Sequence, residues 1–235
     1  MLTVTGLSSG YGKVQILNNV NLDITEGEIV SVIGRNGVGK STFCKTVIGI
    51  LSTMKGQIIF DGDKNISKMS AYKRARAGIA YVPQGHGIFP KLTVAENLTI
   101  GALINEAQKE EAYDRIYTYF PRLGERRNQL AGTMSGGEQA MLSIGRALVN
   151  KPKIMILDEP SEGVQPNIVN KMGEIVQKVS RDLNLTVLMI EQHLGLIQQV
   201  SQRGYVMDKG QIIEPLTKEQ IYKKLETSRQ QSNDG

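Results

Sequence analysis

Eight residues, Gly34-Arg35-Asn36-Gly37-Val38-Gly39-Lys40-Ser41, constrain this chain more than any other feature. The apolar run Ile29 to Ile33 leads into them, and a helix-like pattern, Lys40 to Ile50, leads out. A glycine-rich turn between a strand and a helix is the phosphate-binding loop pattern. Glycine tolerates backbone angles that other residues resist. Successive backbone N–H groups can then converge on an anion at a helix N-terminus, where the helix dipole adds its own attraction. Asn36, Gly37, Gly39, Lys40, Ser41 and Thr42 are the candidate nucleotide-binding residues. Lys40 is expected on the terminal phosphates and Ser41 on Mg²⁺.

A phosphoryl-transfer site also needs a carboxylate at the end of a neighbouring strand. Ile154-Met155-Ile156-Leu157-Asp158-Glu159 supplies one. An unbroken apolar run reads as a strand buried on both faces of a parallel sheet. Asp158 then emerges at the carboxyl end, where open α/β sheets bind ligands, and is expected to hold Mg²⁺. Glu159, the next residue, can orient or deprotonate an attacking water.

The rest of the chain supports an α/β fold. Strand-like alternation occupies Leu2 to Leu7 and Ile16 to Ile24, and further strands are expected at Gln57 to Phe60 and Ile79 to Val82. From Gln84 to Asn150 the spacing turns helical, with Thr93 to Leu103, Lys109 to Phe120 and Gly137 to Val149 as candidate helices. Alternation then resumes: helix Ile168 to Asp182, strand Thr186 to Ile190, helix Leu194 to Val200, and a hairpin turning at Asp208-Lys209-Gly210. Such alternation predicts a parallel sheet. One domain over 1–226 is expected, with a catalytic core in 1–83 and 151–215 and an inserted helical subdomain in 84–150; the polar tail 227–235 reads as disordered.

Composition narrows the partners. The 235 residues are 40% hydrophobic, enough for a sizeable core, yet no apolar run approaches the roughly 20 residues of a membrane span. Met1 leads straight into strand alternation, so no signal peptide is read and the chain is expected to fold in the cytoplasm. Cys44 is the single cysteine and is expected to pack in the core. The net charge of +5 is scattered, and with no Trp and 5% aromatics there is little to stack bases on, so nucleic acid is not expected as a partner.

Met134-Ser135-Gly136-Gly137-Glu138-Gln139, about 20 residues before Asp158, resembles the signature of the ABC ATPase family, with Met where Leu is usual. The resemblance covers roughly residues 2 to 215. It implies a P-loop NTPase core with a mixed parallel sheet, an N-terminal antiparallel β subdomain and an inserted α-helical subdomain, acting as an ATP hydrolase with ATP and Mg²⁺. It also assigns roles by position. Tyr11 would stack on adenine, Gln84 would sense Mg²⁺ and the attacking water, and His193 would contact the γ-phosphate. Ser135, Gly136 and Gly137 would complete the ATP site of a second ATPase subunit, in a homodimer or heterodimer. Residues 85–97, with Ile88, Phe89 and Leu92, would meet transmembrane permease subunits, placing the chain peripherally on the cytoplasmic membrane face, with a periplasmic solute-binding protein as indirect partner.

A finer similarity runs through Tyr81 to Leu98 and Ser161-Glu162-Gly163-Val164-Gln165-Pro166, which resemble the second ATPase subunit of importers for branched-chain amino acids, urea and short amides. Gln165 stands where an aspartate is common in the family. Glu162, Gln165 and Gln84-Gly85 point to urea or a short amide, with branched-chain amino acids as the alternative. Nothing beyond Ile213 is expected to form a regulatory domain. A soluble ABC ATPase acting on nucleic acid or ribosomes usually carries a coiled-coil insertion or two ATPase units, and neither is read here. A GTPase would carry a guanine-reading Asn-Lys-x-Asp, but Asn150-Lys151-Pro152-Lys153 lacks the acid.

Lys40→Ala is expected to weaken ATP binding by at least about tenfold, because a phosphate charge loses its hydrogen-bonded cation; titration with a fluorescent ATP analogue measures it.

Overall fold

In the computed structural model, which describes residues 1–104 and 109–223, the alternating N-terminus pairs with itself. β1 (Leu2–Tyr11) runs antiparallel to β2 (Val14–Ile24). The tail assigned to 227–235 lies outside the described residues. β3 (Ile29–Ile33) follows, then the glycine loop and α1 (Lys40–Val47). α1 stops short of the expected Ile50 because Gly49, at φ 83°, turns the chain.

β4 (Thr53–Phe60) pairs with β1 and starts four residues before the apolar pattern does, because Thr53 and Lys55 are held by backbone pairing to Ser9 and Ser8. β5 (Lys64–Asn65) completes an antiparallel sheet of order β2-β1-β4-β5. α2 (Ala71–Arg76) has no apolar stripe and escapes sequence reading; β6 (Ile79–Val82) matches expectation residue for residue.

The middle of the chain is helical: α3 (Val94–Ala102), α4 (Lys109–Tyr119), α5 (Pro121–Glu125) and α6 (Gly136–Leu148). Thr93 and Ser135 each cap the following helix reciprocally with a glutamate three residues on, Glu96 and Glu138, so both helices start where their side chains satisfy free N–H groups. β7 (Ile154–Asp158), α7 (Pro166–Leu183), β8 (Thr186–Ile190), α8 (Leu194–Val200), β9 (Arg203–Asp208) and β10 (Gln211–Thr217) close the fold.

The second sheet has the order β10-β9-β3-β8-β7-β6, parallel throughout except for the β9–β10 hairpin. Successive side chains alternate faces. Val30, Val32, Ile154, Ile156, Leu188 and Ile190 therefore pack with Phe43, Cys44 and the antiparallel sheet. Ile29, Met155, Leu157, Val187 and Met189 pack on the other face with α6, α7 and α8. Both faces are covered, which is why these strands carry no polar alternation.

Arg74 ties α2 and the segment after β5 to α1. Its guanidinium is 1% exposed and donates to the carbonyls of Thr46 (2.8 Å), Val47 (2.7 Å), Ser67 (2.9 Å) and Met69 (2.9 Å). Two of these acceptors lie in the last turn of α1, where a cation is favoured by the helix dipole; Thr46 O also accepts from Gly49 N–H at 3.1 Å. Burial without an acidic partner lowers the Arg74 pKa. Removing the donors strands buried carbonyls. Arg74→Ala is expected to destabilise the fold by about 3 kcal/mol; chemical denaturation checks it.

Candidate active site

β3, β8, β7 and β6 end side by side, with Val32 and Asp158 both in register with Ile190. The loops that leave these ends carry the phosphate cradle, Gln84, Asp158, Glu159 and His193 to one edge of the sheet, where the topology of parallel sheets opens a crevice.

In the cradle, Gly37 and Gly39 have φ of 81° and 110°. A Cβ on Gly37 would meet nothing within 4 Å, so backbone conformation and not space demands glycine there. Lys40 is 4% exposed. Its ammonium donates to Gly34 O and Arg35 O, both at 2.9 Å, and pairs with Glu159 Oε1 at 3.3 Å. All three N–H donors are therefore used. Ser41 Oγ donates to Asp158 Oδ1 at 3.1 Å, and Tyr81 Oη donates to Oδ2 at 3.0 Å. Burial raises the Asp158 pKa, and these two donors oppose the shift by favouring the anion. The Tyr81 phenol is in turn raised, by burial and by the Asp158 charge.

Glu159 has φ 48°, a left-handed conformation that costs a non-glycine residue free energy and gathers at functional sites. Its N–H donates to Ile190 O at 2.8 Å, which holds the conformation. Its Oε2 accepts a long contact from Gln84 Nε2 at 3.5 Å. Tyr11, 47% exposed, and buried Thr42 line the same cleft as Asn36, Gly37, Gly39, Lys40, Ser41, Gln84 and Glu159.

His193 does not line this cleft, and the signature residues, expected to serve a second subunit, stand apart from it. His193 caps α8, its Nδ1 accepting from Leu196 N–H at 3.1 Å, which leaves the proton on Nε2. Ser135 and Gly137 line a separate cleft with Tyr119, Arg126, Met141 and Ile168. Gly137 has a packing reason of its own, since a Cβ there would stand 2.5 Å from Ile168 Cγ2. Of the expected apolar patch in 85–97, Ile88 packs against the core and Leu92 is half-buried; Phe89 stays 43% exposed beneath the Arg146 guanidinium, 5.1 Å from its ring centroid. His86 is buried, and burial lowers its pKa.

Sequence reading missed Tyr81 and Gln192. Tyr81 lies inside a strand, and its hydroxyl reaches Asp158 only across β6–β7 pairing. Gln192 Nε2 donates to Glu159 Oε1 at 2.8 Å, a contact made across two loops.

The family model described as ABC transporter matches residues 17–162, more than half of the chain. The chain belongs to the ABC transporter family. As an ABC ATPase it couples ATP hydrolysis to transport. It is 41% identical over 214 residues to the high-affinity branched-chain amino acid transport ATP-binding protein BraG of Pseudomonas aeruginosa, covering 91% of each chain. It is 37% identical to the probable branched-chain amino acid transport ATP-binding protein LivF of Archaeoglobus fulgidus, covering 90% of each. The crystal structure of a nucleotide-free ATP-binding cassette from an ABC transporter superposes with a TM-score of 0.86 at 27% identity, over 96% of this chain and 95% of that one. The ABC ATPase fold read from the signature is thus the observed one. Among the described residues no helix is long and apolar enough to cross a membrane.

Glu159→Gln keeps the shape of the side chain and removes its basicity. ATP affinity is expected to persist while turnover falls by about 100-fold or more, the scale of a lost general base; nucleotide titration and phosphate release measure the two separately.

Proposed function

We propose that this chain is the ATP-hydrolysing subunit of an importer for branched-chain amino acids. The observation that carries the solute is similarity at 41% and 37% identity to proteins named for that transport, across nine-tenths of the chain. Urea or a short amide, the cargo favoured by Glu162, Gln165 and Gln84-Gly85, finds no support among these relatives. The physical reason is that those loops surround a phosphate site and never touch the solute, so they read cargo only indirectly.

In this reading the cradle from Asn36 to Thr42 binds the phosphates of ATP, with Lys40 turning from its carbonyl partners to the terminal phosphates. Tyr11 at the cleft mouth stacks on adenine. The Ser41 hydroxyl and the Asp158 carboxylate, 3.1 Å apart, form the oxygen donor set that a Mg²⁺ shared with phosphates requires. Bound there, Mg²⁺ would neutralise charge on the phosphates. Glu159 takes the proton of the attacking water, Gln84 orients that water, and His193 acts on the γ-phosphate once its ring leaves the α8 cap.

Ser135, Gly136 and Gly137 serve a second ATPase subunit. They stand apart from the cradle of their own chain, and the exposed Ser135 opens a helix whose free N–H groups suit a phosphate. Segment 85–97 meets the permease subunits, with Phe89 as the outward apolar contact, and the chain works peripherally on the cytoplasmic face of the membrane beside a periplasmic binding protein.

Uptake of labelled leucine and labelled urea by cells with and without the gene tests the solute. Loss of leucine uptake with urea uptake intact is expected; the opposite pattern would reject the amino-acid reading.

A further inference from the structure

Gln192 stands in the active site although no motif assigned it a role. Its side-chain amide has two donors, and both are spent: Nε2 reaches Glu159 Oε1 at 2.8 Å and Asn36 Oδ1 at 2.5 Å. The orientation of the amide is chemically forced. An ionised carboxylate only accepts, so the nitrogen and not the oxygen must face Glu159.

The backbone that carries Gln192 is held as firmly. Glu191 is 2% exposed, and its carboxylate accepts from Gln192 N–H (2.7 Å), His193 N–H (2.9 Å) and Ser161 N–H (3.2 Å). A buried carboxylate with three amide donors is a satisfied anchor. It joins the loop after β7 to the loop after β8, so the base and the residue that grips it move as one piece.

Glu159 Oε1 is therefore occupied twice, by Gln192 and by Lys40, while Oε2 has only the 3.5 Å contact with Gln84. When Lys40 is drawn to phosphate, Gln192 is the remaining short contact on the carboxylate. We propose that Gln192 is a positioning residue for the Glu159 carboxylate, holding Oε1 so that Oε2 faces the attacking water, with Asn36 and Glu191 fixing its reach. The proposal rests on Glu159 acting as the base. A carboxylate free to rotate about its side-chain torsions spends less time in reacting geometry, and catalysis is sensitive to such misplacement. Gln192 touches no reacting atom and acts through Glu159.

The test uses the full chain in steady-state ATP hydrolysis. Gln192→Ala and the isosteric Gln192→Glu, which puts an acceptor where the donor was, are expected to lower kcat by about tenfold or more, the scale of a lost hydrogen bond to a charged group. KM for ATP should stay within about twofold, because an interaction that matters only in the transition state leaves ground-state binding alone. Residual single-turnover hydrolysis in Glu159→Gln should not fall further when Gln192→Ala is added, since a residue acting through Glu159 has nothing left to position. Unchanged kcat in both Gln192 variants would overturn the proposal. So would a rise in KM without loss of kcat, which would make Gln192 a nucleotide-binding residue through Asn36. An equal loss of activity in the Glu159→Gln background would also overturn it. Near-normal turnover in Glu159→Gln alone would instead reject the base assignment on which the proposal stands.

Discussion

A buried ammonium organises this molecule. Lys40 sits almost out of solvent, and an unpaired charge there would cost several kcal/mol. Its acceptors come from the loop it belongs to, Gly34 O and Arg35 O, and from the end of another strand, Glu159. Satisfying one side chain thus requires β3 and β7 to end at the same level with β8 between them. The register does that, and Glu159 completes it by adopting a left-handed backbone that an N–H bond to Ile190 holds in place. These acceptors are ones that a phosphate could replace, so the same arrangement that satisfies the protein alone leaves it ready for an anion.

The sheet beneath this edge is rigid because it is buried on both faces. The opposite parities of β3, β7 and β8 feed two separate hydrophobic clusters, one under the antiparallel sheet and one under the helices. Close packing on both faces resists small displacements. The functional loops therefore hang from a fixed frame. Arg74 and Glu191 serve the same end in different ways. Each is a buried charge satisfied by backbone groups from more than one segment, and each therefore fixes how two segments meet.

Much of the fold was legible in the chain because its signals are local. A glycine pattern and an apolar run each act within a few residues. The sheet strands β6, β7 and β8, the helices expected from Thr93 and from Gly137, and the hairpin turn at Lys209-Gly210 follow their sequence signals for that reason, the second helix starting one residue early at Gly136. The elements that were not legible lack such signals. The start of β4 is polar and exists because β1 supplies hydrogen-bond partners. α2 is six residues without an apolar stripe, and its one buried side chain is an arginine.

The sequence by itself determined that a glycine loop joins a strand to a helix, that two acids end another strand, and that the chain belongs with the ABC ATPases. Those statements rest on residue types at short spacing. Only the tertiary structure decided which side chains meet: Lys40 on Glu159, Tyr81 and Ser41 on Asp158, Gln192 between Asn36 and Glu159. It also decided that Ser135 and His193 stand outside the cleft in this state, each spent on capping its own helix. The reason is physical. A hydrogen bond is decided within a few tenths of an ångström, and positions 36, 159 and 192 are brought to that precision by strand register and packing, which no local pattern along the chain encodes.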